Sequence, residues 1–141
     1  MELIYSKLNP DRLLHIIYRE RDFYDIKGHR LDIVGPDEFL QLSSMNMKKG
    51  HTFKPHQHIW TDGEEKTIAQ ESWVVIKGSV ACHLYDTDST VLMKPILYGG
   101  DCSVTLGGGH TYLILEDDTL VYEYKTGPYK GIENDKVMYD E

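Results

Sequence analysis

Residues 50–78 read GHTFKPHQHIWTDGEEKTIAQESWVVIKG, and this stretch carries the first indication of the fold. His56 and His58 are two positions apart, so on a β-strand their side chains point to the same face. Two neutral imidazoles on one face can bind a single ion of zinc, iron, nickel, copper or manganese. The pair alone is a weak indication of a metal site, because histidine pairs also occur by chance on protein surfaces.

A second stretch, residues 99–114, reads GGDCSVTLGGGHTYLI and has a regular spacing of its own. Five residues separate Gly99 from Thr105; one residue then precedes Gly107, and two more precede His110. Glycines are favoured where the chain turns at the end of a strand, because they adopt positive φ at little cost. By itself His110 is typical of a hydrogen-bonded core histidine, so its interpretation depends on the surrounding pattern.

Together the two stretches resemble the two sequence motifs of the cupin superfamily. The first family motif reads Gly, five residues, His-x-His, three or four residues, Glu, six residues, Gly. The second reads Gly, five residues, Pro-x-Gly, two residues, His, three residues, Asn; here Thr105 stands in place of the proline and Ile114 in place of the asparagine. The matching stretches cover roughly a third of the chain.

The resemblance implies both a fold and a metal site. The fold is an all-β, double-stranded β-helix, a jelly-roll barrel of the RmlC-like kind with little helix. Carried over residue by residue, the motifs imply that His56, His58, Glu71 and His110 bind one divalent metal ion. The ion is iron, manganese, nickel or zinc, and the sequence does not select among them.

The carboxylate ligand has an alternative. Twelve residues, Ile59 to Gln70, separate His58 from Glu71, and the shorter family spacing points instead to Asp62. We favour Glu71, because it enters an apolar run and keeps the family distance to Gly78, whereas Asp62 lies in a polar stretch typical of a loop tip. Surface loops tolerate insertions of this size, and we expect the loop to act as a mobile rim over the site.

Composition narrows the classes of partner. The chain has 141 residues and a formal net charge of −8, which disfavours nucleic acid and anionic lipid as partners. No apolar stretch is long enough to span a membrane, and the N-terminus lacks a signal-peptide pattern, so we expect a cytoplasmic protein without membrane contact. The expected partner is a small-molecule ligand.

The length predicts a single cupin domain over residues 1–141. We divide it into an N-terminal arm (1–38), a barrel (about 39–126) and a C-terminal tail (127–141). The arm and the polar tail are free to dock on a partner, and the edges of a small open sheet need cover, so we expect a homodimer.

Short apolar runs between turn-forming residues predict the strands of the barrel. Residues 9–18 are ambiguous, because they fit either a helix or an N-terminal strand. The predicted strand runs are Phe39–Met47, Ser72–Ile76, Val80–Tyr85, Val91–Leu97, Tyr112–Leu115 and Thr119–Tyr124.

Several other polar residues have structural interpretations. Glu123 and Lys125 share one strand face; we expect an exposed ion pair on the outer surface, although the parity of the strand also allows both to point inward. Cys82 and Cys102 are expected to be reduced, partly buried thiols, with a single disulfide as the alternative. The histidines outside the motifs are expected to be structural; these are His29, His51 and His83.

Two classes of function agree with these features. The first is a metal-dependent enzyme, a dioxygenase or an isomerase or epimerase, acting on a small, polar, oxygen-rich substrate such as a sugar derivative or a carboxylate. The second is a non-catalytic module that holds such a molecule at the same metal. A short C-terminal stretch, residues 123–129, also resembles small cupins of bacterial surface-polysaccharide pathways. The resemblance does not identify catalytic residues beyond the metal ligands.

Overall fold

The computed structural model describes residues 1–60, 68–128 and 136–140. Within them the secondary structure consists of β-strands and one short 3₁₀ helix, η1 (Glu20–Asp25). The strands are β1 (Glu2–Tyr5), β2 (Leu13–Ile17), β3 (Arg30–Asp32), β4 (Leu40–Met47), β5 (His56–His58), β6 (Glu71–Lys77), β7 (Ser79–Tyr85), β8 (Val91–Met93), β9 (Ile96–Tyr98), β10 (Cys102–Thr105), β11 (Gly109–Ile114), β12 (Thr119–Thr126) and β13 (Lys136–Met138).

Two antiparallel sheets form the barrel. One has the strand order β10-β6-β12-β4-β3, and the other has the order β13-β5-β11-β7-β8, with β9 also paired to β7. Strands distant in the chain therefore become neighbours, as β5 does with β11. A separate hairpin of β1 and β2 precedes the barrel. The expectation of an all-β double-stranded β-helix with little helix is confirmed.

The inner faces of the two sheets form one hydrophobic core. Alternation along β6 shows how the sequence builds it, because Glu71, Trp73 and Val75 are buried while the residues between them are less so. Side chains two apart on a strand share a face, so this alternation turns one face of the sheet inward. The buried apolar cluster comprises Met45, Met47, Trp73, Val75, Val80, Cys82, Tyr112, Ile114 and Val121.

Most predicted strand runs correspond to observed strands, with two differences. The run Val91–Leu97 is divided into β8 and β9, because Pro95 has no N–H to donate to a sheet and interrupts the pairing. Strand β10 was not predicted, because its sequence CSVT contains only one strongly apolar residue. Of the two possibilities for residues 9–18, the structure has the strand, β2.

Strands also lie in the predicted arm and tail. From the arm, β3 pairs with β4, and from the tail, β13 pairs with β5. Both segments therefore contribute to the sheets that carry the candidate site. The division into arm, barrel and tail stays a prediction, and so does the single domain. Among the described residues, no helix is long and apolar enough to cross a membrane.

The motif glycines lie where the chain turns at the ends of strands, as expected. Gly78 has φ +90°, and a Cβ there would lie 2.9 Å from the Cα of Thr119, so only glycine fits this turn. In the second motif the positive φ angles occur at Gly100 and Gly108. Gly99 and Gly107 lie in the same two turns, each directly before a glycine with positive φ.

The two cysteines are free, as expected, and do not form a disulfide. Cys82 is buried in the core, where burial raises the pKa of its thiol to about 11. Cys102 is exposed at the start of the edge strand β10, so the expectation that it is partly buried was wrong. An edge strand with few neighbours leaves its first residue open to solvent.

Candidate metal centre

Strands of both sheets bring the four predicted ligands together. His56 and His58 lie on β5, and His110 lies on β11, directly opposite His56 in the antiparallel register. Glu71 lies at the start of β6 in the other sheet and points inward toward them. One ligand atom from each residue lies within 4.8 Å of every other, and all four residues are buried. The prediction from sequence therefore has the required geometry, and the role of the four residues as ligands remains a proposal.

The distances between the candidate ligand atoms suit a shared ion. His58 Nε2 lies 2.8 Å from Glu71 Oε2, His110 Nε2 lies 3.4 Å from the same oxygen, and the Nε2 atoms of His56 and His110 are 3.2 Å apart. Bonds of about 2.1 Å to one ion place neighbouring ligand atoms roughly 3.0 to 3.4 Å apart at octahedral or tetrahedral angles. Three imidazoles and one carboxylate therefore fit a divalent transition metal in both donor type and spacing.

Hydrogen bonds outside the cluster orient two of the imidazoles. Nδ1 of His56 lies 3.0 Å from the carbonyl oxygen of Lys54, which can only accept, so Nδ1 carries the proton and the lone pair of Nε2 faces the cluster. Nδ1 of His110 is hydrogen-bonded to the hydroxyl of Thr105 at 2.8 Å. Partners of this kind fix the tautomer and the ring orientation of histidine ligands.

The sequence did not indicate this role of Thr105, which appeared there only as the replacement for a motif proline. Thr105 lies opposite Glu71 in the β10–β6 register, and the two side chains share the inward face. The separation of five residues between Thr105 and His110 does not by itself indicate that their side chains are in contact.

The pKa shifts of His56 and Glu71 favour the protonation states that bind metal. Burial lowers the pKa of His56 to about 4, so its imidazole is neutral near pH 7. Burial alone would raise the pKa of Glu71, but its hydrogen bonds and electrostatic interactions with His110 and His58 outweigh burial and hold that pKa well below the usual range. An ionised carboxylate and a neutral imidazole are the states that coordinate a metal ion.

A polar network connects Glu71 to β3 at the edge of the same sheet. The indole N–H of Trp73 is shared between Glu71 Oε1 at 3.1 Å and Glu123 Oε2 at 2.9 Å. The other oxygen of Glu123 accepts a hydrogen bond from Arg30 at 2.9 Å, and Arg30 also bonds Asp32 at 2.9 Å. Burial and the nearby charge of Glu71 raise the pKa of Glu123, while Arg30 and Trp73 oppose them.

The expectation that Glu123 and Lys125 form an exposed ion pair was wrong. Glu123 pairs with Trp73 and Lys125 with Glu71 in the β12–β6 register, so both share the inward face. Glu123 is only 8% exposed, and Lys125 is half-buried. The pairing of β12 with β6 decides which residues of β12 face inward. The sequence of β12 by itself does not show this pairing.

A cavity of about 330 Å³ opens beside the cluster, and His56 and Glu71 form part of its wall. The remaining wall includes aromatic side chains and several charged ones from both sheets. These residues are Arg30, Asp32, Val34, Pro36, Gln41, Ser43, Phe53, Trp73, Tyr112, Glu123, Lys125 and Lys136. Arg30 and Lys136 come from the predicted arm and tail, so the sequence did not associate them with the site.

The other predicted residues lie outside the cluster or outside the described structure. The rings of His29 and His51 are in contact with each other, with centroids 4.5 Å apart, and His83 lies on β7. None of these three belongs to the group of candidate ligands. Asp62, the alternative carboxylate, lies outside the described residues with most of the loop that contains it.

Solved structures with a similar fold are known. The chain superposes on KdgF from Halomonas sp. with a TM-score of 0.54 and 24% identity, covering 72% of this chain and 80% of that one. The chain also superposes on a protein from Klebsiella pneumoniae subsp. pneumoniae with a double-stranded β-helix domain. The TM-score is 0.62 and the sequence identity is 14%, covering 89% of this chain and 92% of that one. For the capsular polysaccharide assembling protein CapF from Staphylococcus aureus, the TM-score is 0.65 and the sequence identity is 14%, covering 79% of this chain and 32% of CapF.

No protein-family model matches the chain, and no curated protein matches it. At identities this low, the likeness to solved structures establishes the fold. The strand order, the two packed sheets and these superpositions together show that the chain has the double-stranded β-helix fold of cupins.

Proposed function

We propose that this chain binds one divalent metal ion through His56, His58, Glu71 and His110 and acts as an enzyme on a small, polar, oxygen-rich molecule. The observation that carries the proposal is the convergence of four buried donor atoms, within 4.8 Å of one another, at the wall of a 330 Å³ cavity. Binding sites for small ligands have volumes of this order and combine apolar walls with a few polar groups.

The four residues leave room for a substrate. Four protein ligands on a five- or six-coordinate ion leave one or two positions open toward the cavity. When bound, a divalent metal supplies Lewis-acid polarisation of a substrate oxygen, and iron would also permit oxygen chemistry. The aromatic walls formed by Phe53, Trp73 and Tyr112 exclude water from one side of the cavity and orient the ligand.

Glu123 favours an enzyme over a binding module. Its carboxyl lines the same cavity as Glu71, yet the two environments move the two pKa values in opposite directions. Two carboxyls whose pKa values are shifted in opposite directions are typical of sites in which one carboxyl stays ionised while the other exchanges a proton. Glu123 is therefore the candidate for holding and transferring a proton, as an isomerase or epimerase requires.

The substrate class is proposed from chemistry and from one structural relative. A hard divalent ion beside charged side chains favours hydroxyl, carbonyl and carboxylate oxygens. CapF carries the name of a capsular polysaccharide assembling protein, and this chain superposes on about a third of it. We therefore include sugar derivatives among the substrates, together with small carboxylates.

A non-catalytic binding module is the second candidate. Arg30 and Trp73 each donate a hydrogen bond of 2.9 Å to one of the two oxygens of Glu123. A carboxylate with a purely structural role has hydrogen bonds of the same kind. The same cavity would then hold a sugar derivative or a carboxylate at the metal without converting it.

Elemental analysis of protein purified without added metal is the first test of this function. We expect close to one equivalent of a transition metal, and a screen of sugars and small carboxylates then identifies ligands that raise the melting temperature. Consumption of such a ligand, lost in Glu123→Gln with the metal retained, supports the enzyme. A stabilising ligand that is never consumed supports the module, and protein that neither contains nor binds divalent metal contradicts both.

We also propose a homodimer. The β1–β2 hairpin exposes many apolar side chains, and a two-stranded sheet is marginal in water unless it packs on another surface. The exposed apolar residues of this hairpin are Leu3, Ile4, Tyr5, Leu8, Leu13, Leu14 and Ile17. Light scattering should give twice the chain mass, and a monomer mass at high micromolar concentration would contradict the dimer.

A further inference from the structure

Two lysines flank the candidate metal site, one from each sheet. Lys125 lies directly opposite Glu71 in the β12–β6 register, and Lys136 lies directly opposite His58 in the β13–β5 register. Both are half-buried, and both line the 330 Å³ cavity. Each lysine therefore contributes to the wall of the cavity, next to the residues proposed to hold the metal.

The cavity wall has three cationic side chains, from Arg30, Lys125 and Lys136, and three carboxylates, from Asp32, Glu71 and Glu123. Arg30 forms ion pairs with Asp32 and Glu123, both at 2.9 Å. These six charges sum to zero, so a bound divalent ion would make the cavity net positive, in a chain whose overall net charge is −8.

From this arrangement we propose that the cavity selects a small organic anion, a hydroxy- or oxo-carboxylate whose carboxylate lies between Lys125 and Lys136 while a neighbouring oxygen reaches the metal. This inference rests on the proposed metal site and narrows its substrate class. Neutral sugars and polyols of the same size are bound weakly, because they cannot compensate the positive charge that the cavity would have with a divalent ion bound.

The chemistry of the lysines suits this task. An ammonium group has three N–H donors, so it can contact a ligand while also interacting with the protein. Hydrogen bonds between charged groups are about twice as strong as neutral ones, and they gain further where the walls exclude water. Two ammonium groups on opposite sheets, near the residues that would hold the metal, bind an anion at two points and thereby fix its orientation.

The test compares pairs of ligands in which the neutral partner has a hydroxymethyl group wherever the acid has a carboxylate. Calorimetry on the full-length, metal-loaded protein is carried out with four pairs: lactate and propane-1,2-diol, tartrate and threitol, gluconate and glucitol, and pyruvate and hydroxyacetone. In at least one pair we expect the acid to bind about tenfold tighter than its neutral partner. Lys125→Met and Lys136→Met should each reduce that preference, Lys125→Arg should retain it, and Lys94→Met, which changes an exposed lysine outside the cavity, should leave it unchanged.

Two results would overturn the inference: no preference for the acid in any pair, or a preference that survives in both methionine variants. Metal content is measured separately on the same samples, so absence of metal counts against the proposed function and not against the anion preference. The pairs are also titrated into metal-free protein, where the preference for the acid should be weaker because the side-chain charges of the wall cancel. Turnover is followed independently, so that a bound acid that is not consumed contradicts only the enzyme.

Discussion

His56 and His110 face each other through their Nε2 atoms, 3.2 Å apart, although 54 positions separate them in the chain. The β5–β11 register places the two residues directly opposite each other, which brings their side chains onto the same inward face. Since Nδ1 of His56 donates to a backbone carbonyl, its Nε2 presents a lone pair to its neighbour. A shared cation satisfies this arrangement, and the predictions below begin from it.

Removing one of these imidazoles should release the metal. We expect His110→Ala to lose nearly all bound metal and to lower the melting temperature, because an ion that binds only the native state adds to its stability, by about 2.7 kcal/mol at a hundredfold excess over Kd. Metal content by mass spectrometry and thermal unfolding with and without added metal provide the measurement. His51→Ala is the matched control, since His51 lies outside the cluster, and it should retain its metal. A full complement of metal in His110→Ala would contradict the site.

The choice between the two carboxylates can be decided by paired variants. Glu71→Gln removes the charge that accompanies His58 and His110, so we expect metal affinity to fall at least about tenfold. Asp62→Asn should leave metal affinity unchanged. Isothermal titration with the metal that the purified protein contains gives both values. The opposite result, with loss in Asp62→Asn and not in Glu71→Gln, would assign the ligand to the Ile59–Gln70 loop.

Thr105 should act through His110. Thr105→Val keeps the shape of the side chain but removes the hydroxyl that bonds Nδ1 of His110 at 2.8 Å, so we expect metal affinity to fall about tenfold or more. Thr105→Ser restores the hydroxyl and should recover most of the affinity, which a change in packing alone would not predict. Equal affinity in the valine variant and the wild type would show that this bond does not orient the ring.

The metal-free protein should lose stability in mild acid. Burial lowers the pKa of His56 from 6.5 to about 4, so between these values the unfolded chain takes up a proton that the folded chain does not. Stability is therefore present above pH 6.5 and is lost as the pH falls toward 4, by on the order of 3 kcal/mol. Urea unfolding with a chelator at several pH values measures the slope, and His56→Gln should flatten it. A wild-type slope that is already flat would contradict the burial of a neutral imidazole.

One of the two thiols should react in the folded protein. Cys102 is exposed, whereas Cys82 is fully buried with its pKa raised to about 11, and the thiolate is the reactive form. Ellman's reagent at pH 8 should therefore modify one thiol rapidly and the second only after unfolding. Cys102→Ser should remove the rapid phase. Two rapid thiols, or none, would disagree with the structure.

The sequence was sufficient for the fold class, and its resemblance to the two cupin motifs was sufficient for four candidate ligands, with His110 a candidate through that resemblance only. A strand gives a strict alternation of faces, so His56 and His58 could be assigned to one face without knowing their neighbours. Glu71 could be preferred to Asp62 because it begins an apolar run whose alternation continues through Trp73. These inferences depend on local periodicity, which the order of residues carries directly.

The tertiary structure alone decided what surrounds the ligands. The inward direction of Glu123, the contact of Thr105 with His110, and the presence of Arg30 in the cavity all depend on which strands pair and in which register. A shift of one residue in register moves every side chain of a strand to the other face, and nothing within a single strand specifies its partner. The sequence therefore determined the candidate ligands and the kind of fold, while the pairing of distant strands determined which charged groups face the metal site.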